Sequence, residues 1–174
     1  MTEQGAEHAS TREIYARAGI TAPTLYHHFG DKQGLMAAVV SQAFDDYLAD
    51  KSAHKPTGDP YVDVARDWDG HVAFAKKHPE IYRLMFPLVG ELPDAAIKSR
   101  GLLRKGFDQL GIQGHLREGI SPELATRTVS AALHGIAQMI VREPINRSNS
   151  LVSRLVRDAV LDAVLRSGEV DSLR

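Results

Sequence analysis

A chain of 174 residues, 43% apolar and with a formal net charge of -1, is long enough to bury a core and carries no overall charge signal for a polyanionic partner. It contains no cysteine, which excludes disulfides and thiolate-based zinc or redox sites and leaves packing as the source of stability. Its longest apolar runs are short and broken by charge or glycine, and the opening MTEQGAEHAS is polar, so neither a membrane span nor a secretory leader is expected and a cytoplasmic location follows.

No stretch shows the β-branched alternation of strands, and glycine and proline fall where helices should end, so the fold class is all-α. Ser10 or Thr11 can cap a first helix that closes at Gly19. Thr21 caps a second, with Pro23 in its first turn and Gly30 closing it after Phe29, and Asp31 caps a third that runs to about Asp50. The next stretch, KSAHKPTGDP, has the composition of a linker, so two domains are expected, residues 1–50 and 51–174. Helix should resume at Tyr61, where Val62, Ala65, Trp68, His71, Val72 and Ala75 recur at helical spacing up to a break at His78-Pro79. A shorter helix holding Ile81, Leu84 and Met85 follows, then one from about Asp94 to Leu110 and a turn through Gly111, Gly114 and Gly119. Ser121-Pro122-Glu123 opens the longest apolar helix, to about Glu143. The last, from about Ser150 to Ser167, carries Leu151, Val152, Leu155, Val156, Ala159, Val160, Ala163 and Val164 around half its circumference. So wide a stripe suits burial against its own domain on one side and a second chain on the other.

Two helices joined by a short glycine-containing turn, Thr11 to Phe29, form a helix-turn-helix pattern, whose second helix can enter the DNA major groove. Ile14 and Ala18 are spaced to face inward, Ile20 fills the turn, and Leu25 and Phe29 anchor the second helix. Ala22, Pro23, Thr24, Tyr26, His27 and His28 are left outward, a set free of acids. The surrounding charge is unfavourable: residues 1–50 hold three basic groups (Arg12, Arg17, Lys32) against seven acidic ones (Glu3, Glu7, Glu13, Asp31, Asp45, Asp46, Asp50), so DNA affinity must come from local placement.

The string STREIYARAGITAPTLYHHFGDKQGL resembles the TetR family in a Thr-initiated helix, an Ala-Gly-hydrophobic turn, a Thr-Leu-Tyr-x-His-Phe recognition helix and the start of the next helix, without a gap. The resemblance implies a DNA-binding transcriptional repressor in which Thr11, Tyr26 and Lys32 bind phosphates, Arg12 approaches a base edge, and Pro23, Thr24 and His28 read or abut bases. Thr21, Ala22 and His27 complete the candidate DNA-contacting set. A palindromic double-stranded operator and a homodimer are then expected, the dimer formed through the helices at about 121–143 and 150–167. The likeness departs at the start. Family members begin with an extra helix of about a dozen residues, whereas MTEQGAEHAS supplies only ten residues without its apolar stripe, so the first family helix is expected to be missing.

HPEIYRLMF at residues 78–86 and ALHGIAQMI at residues 132–140 resemble the effector domain of one branch of the family, with Leu133 where that branch often has Trp before its His-Gly pair. Trp68, His71 and Val72, then Tyr82 and Phe86, then His134, Gln138 and Met139 are candidates to converge on a pocket for a small, mostly apolar effector. No metal site is expected, since His71 and His78 lie two turns apart and His27-His28 fall on the recognition helix. No cofactor loop, nucleophile elbow or catalytic carboxylate pair is present, and enzymatic activity is not expected. The alternative to a ligand-responsive repressor is a helical dimeric ligand-binding or interaction protein that has lost DNA binding through an incomplete N-terminal domain.

Overall fold

A computed structural model describes residue 19 and residues 21–52, 55–86, 94–143 and 147–166. The expected first helix, with Thr11, Arg12, Ile14 and Ala18, the turn residue Ile20 and the opening MTEQGAEHAS lie outside the described residues. Within them the chain forms seven helices and no strand: α1 (Ala22–Phe29), α2 (Lys32–Ser52), α3 (Pro60–Lys77), α4 (Pro79–Met85), α5 (Asp94–Ile112), α6 (Pro122–Arg142) and α7 (Arg147–Val164). None of these helices is long and apolar enough to cross a membrane.

The helix starts follow local chemistry. Thr21, Asp59 and Ser121 are extended N-caps whose side-chain oxygens accept from the free N–H groups of Thr24, of Tyr61 and Val62, and of Leu124. Each is followed by proline in the first turn, where the missing donor costs little. His78 ends α3 and begins α4 without a side-chain cap, because Pro79 forces the break.

Two elements depart from expectation. The helix expected to stop at Leu110 runs on to Ile112, and Gly111 sits inside it where a Cβ would lie 3.0 Å from Pro122 Cγ. The glycine there permits close approach of α5 to the start of α6; the turn itself falls at Gly114 and Gly119, both with φ of 77°. The last helix begins at Arg147, ahead of Ser150.

The core is organised around α6, which buries Ala125, Thr126, Val129, Leu133, Ile136, Ala137, Ile140 and Val141. One cluster joins Val129, Leu133, Ile136 and Ile140 to Trp68 and Val72 of α3, Phe107 of α5 and Leu161 and Val164 of α7. A second joins Ala137 and Val141 to Val40 and Phe44 of α2, Ala75 of α3, Tyr82, Met85 and Phe86 around α4, and Ala96 of α5. The Trp68 indole, 1% exposed, donates its N–H to Ser153 Oγ at 3.2 Å, so this large ring is buried without an orphaned donor. The turn before α6 is tied to the end of α7 by an isolated antiparallel bridge between Leu116 and Leu165.

On α7 the apolar stripe divides. Leu161 and Val164 enter the core, whereas Leu151 (51% exposed) and Leu155 (62% exposed) face out in line with exposed Ala159 and Ala163, at four-residue spacing. Leu124 on α6 is exposed as well.

Candidate functional sites

Helix α1 is short, and its placement depends on its two ends. At its start Thr21 Oγ1 accepts from the Thr24 N–H at 3.4 Å and lies 2.9 Å from Thr24 Oγ1, so both hydroxyls are ordered beside the helix N-terminus. At its end Gly30, with φ of 76°, donates its N–H to Tyr26 O at 2.9 Å. Asp31 then caps α2, accepting from the Gly34 N–H at 2.7 Å. A Cβ on Gly34 would lie 1.9 Å from Phe29 O, so only glycine allows this corner between the two helices.

The corner turns Leu25 of α1 inward. Leu25 is 1% exposed, while Pro23, Thr24, Tyr26, His27 and His28 are exposed. Phe29, expected to anchor the helix beside Leu25, remains 36% exposed because it sits in the final turn with its ring toward His28, at 6.4 Å between centroids. Lys32 follows at the exposed start of α2, and for Ala22 only the backbone is described. No acid lies on α1, and the Asp31 carboxylate is engaged on the backbone of α2. Asp45 and Asp46 lie roughly 20 Å from Lys32 along the helix axis, about twice the Debye length at moderate salt. Three of the seven acids of residues 1–50, Asp45, Asp46 and Asp50, are therefore set along α2 away from α1.

The second site lies where α2, α3, α4 and α6 meet. His71 Nδ1 is 3.3 Å from Tyr47 Oη, His71 Nε2 is 3.1 Å from Tyr82 Oη, and Tyr82 Oη is 2.9 Å from His134 Nδ1. The rings pack as they bond: His71 lies 5.4 Å from both Tyr82 and His134, and Phe86 lies 4.5 Å from His134. Burial pushes the His134 pKa down to about 4, leaving a neutral imidazole at pH 7, and drives the Tyr47 and Tyr82 phenols upward, with the Asp67 charge adding to the shift at Tyr47. Gln138 donates to Phe86 O at 2.8 Å and so closes the end of α4.

Trp68, His71 and His134 line a cavity of about 40 Å³, enough for roughly two or three water molecules. Tyr47, Val64, Asp67, Ser99, Arg100, Leu103, Val129, Ser130 and Leu133 complete its wall. Tyr82, Phe86 and Gln138 stand behind this wall, and Val72 and Met139 pack in the first core cluster. Ser130 lies one turn before His134 and Ser99 one turn before Leu103, a spacing visible in the sequence; nothing in it points to Tyr47, which arrives from α2. No group of three or more His, Asp or Glu side chains able to hold a metal occurs among the described residues.

Two family models match the chain: bacterial regulatory proteins, tetR family, over residues 1–39, and the tetracyclin repressor-like C-terminal domain over residues 64–163. A TetR-family transcriptional regulator from Pectobacterium atrosepticum is similar in structure at a TM-score of 0.62 and 26% identity, covering 92% of this chain and 86% of that one. NalD from Pseudomonas aeruginosa, the secondary repressor of the MexAB-OprM multidrug efflux pump, is similar at 0.65 and 18%, covering 94% and 90%. A protein described in connection with control of antibiotic production by bacterial hormones is similar at 0.71 and 20%, also covering 94% and 90%. No curated protein shows a significant sequence match.

Proposed function

Because the chain belongs to the TetR family of bacterial transcription regulators, we propose that it acts as a ligand-responsive repressor, a homodimer whose two α1 helices read a palindromic operator. Family members regulate transcription and are not enzymes. The observation that carries the DNA half is α1 itself: capped at both ends, free of acids, anchored by Leu25 and exposing Pro23, Thr24, Tyr26 and His28. In this reading Tyr26 and Lys32, with Thr11, contact phosphate, Pro23, Thr24 and His28 meet base edges and thymine methyls, and Arg12 supplies a bidentate base contact. Thr21, Ala22 and His27 flank them.

The dimer reading rests on the outward stripe of Leu151, Leu155, Ala159 and Ala163, which a second copy would cover about a two-fold axis. The effector reading rests on the cavity beside His71 and His134. An effector of ordinary size needs several hundred Å³, so its entry must part α3, α5 and α6, and only a difference in affinity between the closed and parted arrangements can release DNA. Family membership favours this function over a helical dimer without DNA binding.

Selection of duplex DNA from a random pool by the full chain tests the proposal. A two-fold symmetric site is expected, with Lys32→Ala weakening binding to all sequences and reducing the salt slope by about one. Leu155→Glu should yield a folded monomer in sedimentation that no longer selects a symmetric site. Recovery of no enriched sequence by the wild-type dimer would favour the reading without DNA binding.

A further inference from the structure

The contacts among Tyr47, His71, Tyr82 and His134 constrain one another through their protons. A neutral imidazole has one N–H and one lone-pair nitrogen, and a phenol has a single proton. With both rings neutral, only two orderings satisfy all three contacts and leave the Tyr82 proton engaged. In one, Tyr47 donates to His71 Nδ1, His71 Nε2 donates to Tyr82, and Tyr82 donates to His134 Nδ1, so both rings carry the Nε2–H tautomer. In the other every bond reverses and both carry Nδ1–H. A mixed pair either aims two lone pairs at the single Tyr82 proton or aims two N–H groups at its oxygen and strands that proton. Leaving a buried polar group unpaired suppresses such a state roughly tenfold or more.

The free end of this series reaches the cavity. His134 Nε2 has no hydrogen-bond partner among the described residues, and the His134 ring lines the cavity beside Trp68, Leu103, Val129 and Leu133. Asp67, Ser99, Arg100 and Ser130 share the lining, and His134 Nε2 is the point in it that belongs to the ring series. We infer that the four side chains form a single proton-ordered relay whose open end, His134 Nε2–H, is the recognition point for the neutral carbonyl oxygen of a small, otherwise apolar molecule. This deepens the effector reading and rests on the cavity being the effector site. The carbonyl accepts from Nε2–H and thereby fixes the ordering that starts at Tyr47 on α2 and ends at His134 on α6. A carboxylate would face the Asp67 charge in the same lining as Arg100 and would lose its hydration against Trp68 and Leu133, whereas a neutral carbonyl needs only the one N–H.

Nitrogen NMR of the full chain labelled with ¹⁵N-histidine tests this at pH 7, with His134→Gln and His71→Gln assigning the rings. Both rings are expected neutral and of the same tautomer. Tyr82→Phe should uncouple them, and Tyr47→Phe, at the far end, should leave them coupled, so the idea survives if one variant fails to fold. Acetone, as the carbonyl probe, should raise the Nε2–H fraction of both rings together, and acetate should not. Opposite tautomers, a doubly protonated ring, or coupling that persists in folded Tyr82→Phe overturns the relay. Coupled rings that ignore acetone, or that answer to acetate instead, overturn the ligand class. Because the readout needs neither DNA nor the natural effector, it fails separately from the repressor reading.

Discussion

Among the described side chains of α1 only Leu25 is completely buried, whereas α6 buries eight residues between two core clusters. Each fully buried aliphatic side chain stabilises by roughly 1.5–3 kcal/mol, so the described contacts hold α6 several times more firmly than α1. The contrast separates two tasks. In the proposed function the bundle around α6 keeps a dimer face and a ligand cavity in register, while α1 keeps its outer face clear for DNA. Low local stability is thus expected at the reading end, with opening events there well below global unfolding in free energy.

The largest expected effect lies in the bundle. Trp68→Ala removes a ring that is 1% exposed and strands Ser153, and should lower stability by about 3–5 kcal/mol, measured by urea denaturation. If the contrast holds, protection of α6 falls by the global loss in this variant, while α1, which opens locally, changes little until global unfolding becomes the easier route. Leu25→Ala comes next, at about 2–3 kcal/mol, and its loss should be local. Hydrogen exchange should rise across residues 21–35 with little change across α6, and DNA binding should vanish while the bundle's transition stays in place. Equal loss of protection in both regions would break the comparison.

A smaller effect comes from acid. The His134 pKa is about 4 in the fold against an ordinary 6.5 in the unfolded chain. Above 6.5 both states are neutral and the full stability is present. As pH falls from 6.5 toward 4, the unfolded chain takes up a proton that the fold refuses, so stability declines through that window and levels off below it. The loss is on the order of 2 kcal/mol for a partly buried ring, read from denaturation midpoints at pH 7 and pH 4. His134→Gln should flatten that slope, and the acid loss should appear in the bundle before the reading end.

The two regions also differ in how far the sequence disclosed them. Thr21, Pro23, Gly30 and Asp31 bound α1 through bonds reaching no more than four residues, so local chemistry sufficed to place it. The same held for Ser121-Pro122 at the head of α6. Phe29 misled because an apolar residue at helical spacing does not reveal that it occupies the last turn. The second site depended on tertiary meetings. Helical spacing brought His71, Tyr82, Phe86 and His134 forward, yet Tyr47, Ser99 and Arg100 enter the site from α2 and α5, and no spacing within one helix links them. Val72 and Met139 share the apolar pattern of their helices and pack into the first core, where periodicity cannot distinguish a core wall from a cavity wall.

The Gly34 corner has a mechanical consequence. With Phe29 O pressed against the Gly34 Cα, α1 has little freedom to hinge on α2, so the two rotate nearly as one rigid arm. Tyr47, where the arm meets the buried ring cluster, lies about 22 Å from Lys32 along the axis. A tilt of about 5° pivoting at Tyr47 would swing the Lys32 end through about 2 Å, a large fraction of a hydrogen bond's length of about 3 Å. A disturbance too small to see at the fulcrum is thus magnified at the tip, and replacing Gly34 would loosen the joint on which that magnification depends.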